Sequence, residues 1–368
     1  MAHQFALLKK HMTSRKTSPL PPWANRFINT WQQQQLNHLA RGNSAQIPCH
    51  ALLDPSSNST SASRPTPIPE SDRRFKKCPE AFHVEGVSQG TLTHHKEWGN
   101  SVVYPGTLRD FQVWLPANVQ PGESLGLIVV PDGLAAWEFA TQITSVLDNL
   151  IHARRIPRVA LVLVGVGWEP ATGAVAMEPK ELFPASMPGY LQRFRELDVL
   201  STEYGSMIVD EMLPWIENEH NVVLSQDPSL RCIAGQSSGG MCAFNVAWTR
   251  PELFGAVLGV STSFCNSMAG YLLPREVRLT KKKPLRVALL VGEHDVASNV
   301  GNWCEHTQLM GAALEFKGYD AMVEVAKGGG HTLRYTGARL ASVLEWLFVD
   351  KSVPTQTNTE GMHKISKL

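Results

Sequence analysis

The stretch from Leu230 to Trp248 constrains this chain more than any other. It opens on a short apolar run, Cys232-Ile233-Ala234, long enough for a buried strand. It closes on a run rich in Ala, Phe, Val and Trp that reads as a buried helix. Between them lies Gly235-Gln236-Ser237-Ser238-Gly239-Gly240, a G-x-S-x-G sequence. A serine so placed sits on a sharp strand-to-helix turn that the flanking glycines allow to close without a Cβ clash. Its Oγ is then pushed out above the sheet edge, where it can act as a nucleophile. The plainer alternative is a Gly-rich β–α turn, and Ser238 is the nearest rival nucleophile.

The segments around this turn set the fold class. Gly90–His95 and Leu108–Leu115 alternate like strands, with turns at Gly99-Asn100 and Pro105-Gly106. Buried strands follow at Leu125–Val130, Val159–Val164, Ala256–Val260, Leu285–Val291 and Ala321–Ala326. Helical patterns fall between them at Trp137–Ala153, Ser201–Asn218, Trp303–Phe316 and Gly337–Phe348. The region from Trp168 to Gln192, rich in Pro, Gly and Met, reads as an insertion over the active face. Strands alternating with helices predict an α/β fold: a mostly parallel sheet with helices on both faces and antiparallel strands at its start.

The ends behave differently. Residues 1–77 read as an extension with one possible helix, Trp23–Arg41, and a Ser/Pro/Thr linker over 54–75. Residues 78–350 form the expected catalytic domain, and 351–368 a flexible tail. The tail closes on Ser366-Lys367-Leu368, the address read by the peroxisomal import receptor. Residues 1–53 carry six Lys and Arg and no Asp or Glu, which is how a mitochondrial presequence looks. The peroxisome is the expected compartment, with cytoplasm or mitochondrion as alternatives.

Composition excludes several classes. A net charge of +1 gives no bias toward nucleic acid. No apolar run reaches the roughly 18 residues that span a bilayer. The six cysteines form no C-x-x-C pair and read as reduced, buried residues. No metal-ligand spacing is present, and adjacent His94 and His95 would point to opposite faces of a strand. Neither metal nor organic cofactor is expected.

A serine hydroxyl needs a base, and the base an orienting acid. In the α/β-hydrolase arrangement the acid and then the histidine follow the serine along the chain. The strand Leu285–Val291 ends in Gly292-Glu293-His294-Asp295. Asp295 is the expected acid, with Glu293 as the alternative and a solvated turn carboxylate as the plain reading. The strand Ala321–Ala326 ends in Gly328-Gly329-Gly330-His331, and His331 is the expected base. His294, His220 and His306 fit surface or helix positions better. For the oxyanion, one N–H should come from Ser238. The other should come from Gly133 or Leu134, on the loop after the first long parallel strand.

These motifs carry a resemblance. Leu125–Gly133 and Ala234–Gly240 are similar to the oxyanion-loop strand and nucleophile turn of the enterochelin (enterobactin) esterases and their wider esterase family. Arg193-Phe-Arg-Glu-Leu197, Glu211-Met-Leu-Pro214 and Gly328–His331 match further along, in the same element order, across about Gly90 to Val349. Residues 1–77 do not resemble the N-terminal β domain of the siderophore esterases. The resemblance implies an α/β-hydrolase fold and cleavage of small carboxylic esters, siderophore-like or other secondary-metabolite esters first among them. It also implies that Arg193 and Glu196 border the site, where they bind an anionic part of the substrate or form a structural ion pair. Two other readings stand beside it. One is an acyl-CoA thioesterase or acyltransferase using the same triad, with Arg154, Arg155 and Arg158 meeting phosphate. The other is a silent binding protein on the same fold.

Overall fold

Val159–Val164 is apolar at every position because both of its faces are covered, and this holds for most of the sheet. The computed structural model describes residues 74–172, 187–266, 269–298 and 300–348. The expected helix Trp23–Arg41, nearly all of the 54–75 linker and the C-terminal tripeptide lie outside the described residues.

The strands are β1 (Thr91–Trp98), β2 (Arg109–Leu115), β3 (Ser124–Pro131), β4 (Val159–Val164), β5 (Val223–Leu224), β6 (Arg231–Gln236), β7 (Ala256–Val260), β8 (Arg286–Gly292), β9 (Ala297–Ser298), β10 (Gly301–Asn302) and β11 (Asp320–Ala326). The main sheet runs β1-β2-β4-β3-β6-β7-β8-β11, with β5 beside β3. Within this sheet β1/β2 and β2/β4 are antiparallel and every later pairing is parallel, while β9 and β10 form a separate antiparallel pair. In β1 the two histidines do face opposite ways, His94 to Gln112 and His95 to His220.

Period-two alternation divides the core. Leu127, Val129, Val162 and Ile233 point into one cluster, and Ile128, Val130, Leu161 and Cys232 into the other. The second cluster is closed by α1 (Leu134–Thr141), α2 (Ile143–His152) and, from the C-terminal end, α9 (Arg334–Phe348). Against the first pack α3 (Met187–Leu197), α4 (Glu203–Ser206), α5 (Leu213–His220), α6 (Ser238–Thr249), α7 (Leu273–Leu279) and α8 (Trp303–Phe316). Five of the cysteines, Cys78, Cys232, Cys242, Cys265 and Cys304, are free and buried. No described helix is long and apolar enough to cross a membrane.

Two helices depart from their sequence pattern. The expected Trp137–Ala153 helix is broken at Gln142, which adopts a left-handed conformation (φ 54°, ψ 49°). The Glu138 carboxylate stabilises the break by accepting from the Thr144 N–H and hydroxyl, so it caps the second helix across the kink. Between α4 and α5 the chain widens into a π-helical stretch, Met207–Met212. Pro214 follows as the second residue of α5; it has no N–H to donate, and its ring would crowd the carbonyl of Asp210 in a regular helix.

One buried ion pair ties α3 to the sheet beside the carboxyl end of β4. Arg109 on β2 donates from both terminal nitrogens to Glu196, at 2.7 Å each, and also to the Gly165 carbonyl. Glu196 further accepts from Gln192 at 2.7 Å and from the Gly167 N–H at 3.2 Å. These hydrogen bonds offset the desolvation of both charges, although the Nε of Arg109 is buried without a partner.

Candidate active site

β6 lies mid-sheet, and its chain reverses into α6 within one residue. That residue is Ser237, with φ 56° and ψ −121°. A non-glycine residue there carries strain of about 1–3 kcal/mol, which the surroundings must over-determine. They do so by backbone hydrogen bonds: Ser237 N–H to Val260 O at 2.9 Å, and Ser237 O from the N–H groups of Ser263 and Met241 at 3.1 Å. The motif glycines are needed because the turn is so tight. A Cβ on Gly235 would stand 2.2 Å from the Gly239 carbonyl, and one on Gly239 would stand 2.7 Å from the Pro131 carbonyl.

Asp295 and His331 approach from the carboxyl ends of β8 and β11. Asp295 Oδ1 lies 2.6 Å from His331 Nδ1 and accepts from the Val296 N–H at 2.7 Å. Asp295 Oδ2 accepts from the Ser261 hydroxyl, which pairs with Tyr335 OH at 2.6 Å. Burial disfavours the Asp295 anion, but His331 and the hydrogen bonds from Ser261 and Val296 outweigh it and hold the carboxyl below its ordinary range. An ionised Asp295 fixes the proton of neutral His331 on Nδ1, so Nε2 is the ring atom left to accept one. The alternatives go elsewhere. Glu293 accepts from the Gly328 N–H at 2.7 Å and so braces the histidine loop. His294 is solvent-facing, His220 pairs with His95 at 2.9 Å, and His306 Nδ1 meets Asn302 O at 2.8 Å.

Ser237 Oγ has Ser263 Oγ as its hydrogen-bond partner, at 3.3 Å, and is not hydrogen-bonded to His331. A hydrogen bond between nucleophile and base often tightens only in the Michaelis complex. Ser263 Oγ in turn accepts from Trp303 Nε1 at 3.1 Å, and the Trp303 ring meets His331 edge-on at 6.3 Å.

The oxyanion donors separate on closer view. Gly133 N–H donates to Val164 O at 3.2 Å, so it is committed to the sheet, and the expectation that it serves the oxyanion is corrected. Leu134 and Ser238 open α1 and α6, where their N–H groups have no intrahelical acceptor. These two helix starts lie against each other, since a Cβ on Gly239 would come within 3.4 Å of Asp132 Cβ.

Arg193 and Glu196 also resolve differently from a substrate-binding pair. Glu196, locked to Arg109, has no exposed side-chain surface, so a substrate contact there is corrected to a structural one. Arg193 is buried and spans the joint between the two helix starts. It donates to Asp132 Oδ2 from Nη2 at 2.6 Å and from Nε at 3.0 Å, and its Nη1 lies 3.4 Å from Ser238 Oγ. Asp132 itself has φ 57°. Nearby Asp198 is buried and accepts from Asn266. Burial pushes its carboxyl up to about 6 against the pull of Arg193, the Ser238 hydroxyl and Asn266, with the Asp132 charge adding to the rise. Arg193 therefore holds Asp132 and Ser238 together, beside the two helix starts whose first N–H groups are the oxyanion candidates. Arg193→Met should lower kcat by about 10²-fold, the scale of a small misplacement of catalytic groups, and leave KM nearly unchanged. A large rise in KM with kcat preserved would restore a substrate-binding role.

Among the described residues no group of three or more His, Cys, Asp or Glu side chains is arranged to hold a metal ion.

Residues 103–347 match the family described as Putative esterase. A curated relative, the uncharacterized protein YbbA of Bacillus subtilis (strain 168), is 25% identical over 269 residues, 71% of this chain and 97% of its own length. The CE1 ferulic acid esterase AmCE1/Fae1A from Anaeromyces mucronatus, solved with ferulic acid, aligns with a TM-score of 0.55 and 19% identity, covering 74% of this chain and 96% of that one. The enterobactin esterase FES from Shigella flexneri, solved in the presence of enterobactin, aligns with a TM-score of 0.53 and 20% identity, covering 70% of this chain and 59% of that one. At such identities the structural likeness speaks for the fold, an α/β-hydrolase sheet.

Proposed function

The chain belongs to the Putative esterase family of carboxylic-ester hydrolases, and from that premise we propose that it works through an acyl-enzyme on Ser237. The observation that carries this reading is the 2.6 Å His331–Asp295 pair at the sheet edge where the strained Ser237 turn emerges. Ser237 Oγ attacks the acyl carbon while His331 Nε2 takes its proton. The carbonyl oxygen gains its charge between the N–H groups of Ser238 and Leu134. The same histidine returns the proton to the departing alcohol. It then deprotonates a water, which attacks the acyl carbon and releases the acid.

The proposed substrates are small oxygen esters of the siderophore or secondary-metabolite kind, a class suggested by the neighbours solved with ferulic acid and enterobactin. Placement favours these over CoA thioesters. Arg154, Arg155 and Arg158 precede β4, at the amino ends of the parallel strands, whereas Ser237, Asp295 and His331 follow the carboxyl ends. Two of those cations are also engaged, Arg155 with Glu80 and Glu345, and Arg158 with Glu123. Product analysis with hydroxybenzoyl and hydroxycinnamoyl esters beside acyl-CoA donors tests the choice. Acid release from the oxygen esters alone supports it, and turnover of the CoA donors alone, by hydrolysis or transfer, contradicts it. Peroxisomal delivery through Ser366-Lys367-Leu368 is a separate proposal resting on the tripeptide. A fluorescent fusion ending in it should lose its punctate signal when the tripeptide is deleted, and unchanged puncta would refute it.

A further inference from the structure

We propose that Ser263 is a further catalytic residue: its hydroxyl, oriented by Trp303, donates to Ser237 Oγ and speeds release of the serine from its acyl-enzyme. This rests on the acyl-enzyme reading above.

Ser263 sits on the loop after β7, almost fully buried at 2% exposure. Its N–H holds the Ser237 carbonyl, and its Oγ lies between Ser237 Oγ at 3.3 Å and Trp303 Nε1 at 3.1 Å. An indole N–H can only donate, so Trp303 occupies one lone pair of Ser263 Oγ. In the reactive arrangement the Ser237 proton is directed at His331 Nε2. The hydroxyl proton between the two serine oxygens is then that of Ser263. Trp303 is well fixed for this task. It opens α8, its N–H donates to Val296 O at 3.0 Å, and Asn302 caps the helix through the N–H groups of Cys304 and Glu305. Neither side chain takes part in the proton transfers between Ser237 and His331.

The consequence falls unequally on the two halves of the reaction. The free Ser237 oxygen accepts a hydrogen bond well. In the acyl-enzyme its lone pairs are drawn toward the acyl group and it accepts poorly. A donor at this oxygen therefore favours the free serine over its ester. During deacylation, water adds to the acyl carbon and gives a proton to His331. The C–Oγ bond then breaks, its electron pair moves to Oγ, and the proton from His331 arrives there. Negative charge grows on Oγ as the bond breaks, so the Ser263 donor strengthens at that moment. By microscopic reversibility it opposes serine attack slightly. The resting 3.3 Å contact is long for an O–H···O bond, which sets a modest scale.

Stopped-flow hydrolysis of 4-nitrophenyl butyrate, with intact-mass analysis of acid-quenched protein, separates the two steps. In Ser263→Ala, deacylation should slow by about tenfold while acylation stays within about twofold of wild type. The acylated fraction at steady state should rise accordingly. Trp303→Phe should shift the partition the same way by a smaller factor, and Ser263→Thr should restore it. Acylation and deacylation falling together, or neither changing, would overturn the proposal and leave Ser263 a packing residue. If circular dichroism shows that Ser263→Ala does not fold, Trp303→Phe is judged by the same criterion. Wild type that forms no acyl-enzyme at all would instead overturn the serine mechanism itself, a distinct failure.

Discussion

Ser237→Ala is expected to lower kcat for a 4-nitrophenyl ester by about 10⁵–10⁶-fold with little change in KM, the scale seen when a triad serine is lost. The size follows from what else remains. Leu134 and Ser238 still offer their N–H groups, and Asp295 still orients His331, so water could be activated in place. No covalent intermediate forms, however, and a displaced water lacks the fixed approach that the turn imposes on Ser237 Oγ. Folding should be little affected. Alanine at φ 56° carries the same backbone strain as serine, and the hydroxyl gives up one 3.3 Å contact. Steady-state kinetics on purified variant and wild type read this directly. A variant retaining more than about one tenth of wild-type kcat would show that another residue is the nucleophile.

Asp295→Asn should cost about 10⁴-fold in kcat while the fold persists. The carboxylate accepts the Nδ1 proton at 2.6 Å and so keeps Nε2 free as the base. An Asn carboxamide can present its NH₂ to Nδ1 instead, which places the ring proton on Nε2 and removes the base. The second carboxylate oxygen accepts from Ser261, itself bonded to Tyr335, so the amide orientation is decided by groups behind it. Because Asp295 is held below the ordinary carboxylate range despite burial, it stays ionised well into acid. The acid limb of the wild-type pH–rate profile should therefore carry no contribution from Asp295, with a slope no steeper than one. A slope near two, or an Asn variant within about tenfold of wild type, would show that Asp295 does not orient the base.

Much of the sheet was legible because burial on both faces writes itself as unbroken apolar runs. Val159–Val164, Ala256–Val260 and helix Trp303–Phe316 were read with the bounds the structure gives them. Most other strand ends moved by one or two residues, and the first strand runs three residues past His95, to Trp98. The helix breaks were not legible. Gln142 carries no turn signature, and its left-handed conformation depends on Glu138 reaching Thr144. Pro214 was visible, but not that a π-helical stretch would absorb it. In the insertion between Trp168 and Gln192, the helix from Met187 onward escaped notice because Pro188 and Gly189 read as breakers.

At the site, the order of serine, acid and histidine was readable because each follows a recognisable strand. The partners that complete it come from loops with no local signature. Ser261 and Ser263 flank Thr262 in what looks like an ordinary polar turn, yet one serves Asp295 and the other touches Ser237. Trp303 read as the start of a helix. The choice between Gly133 and Leu134 needed the Val164 carbonyl to be seen, and the buried partners of Arg193 and Glu196 lie far away in sequence.

The most direct test of the central claim is where a fluorophosphonate probe attaches. Intact-mass analysis followed by peptide mapping of the labelled protein should find a single adduct, on Ser237, and none after Ser237→Ala. A folded protein that takes no label, or one labelled at Ser238 or Ser263 instead, would contradict the account.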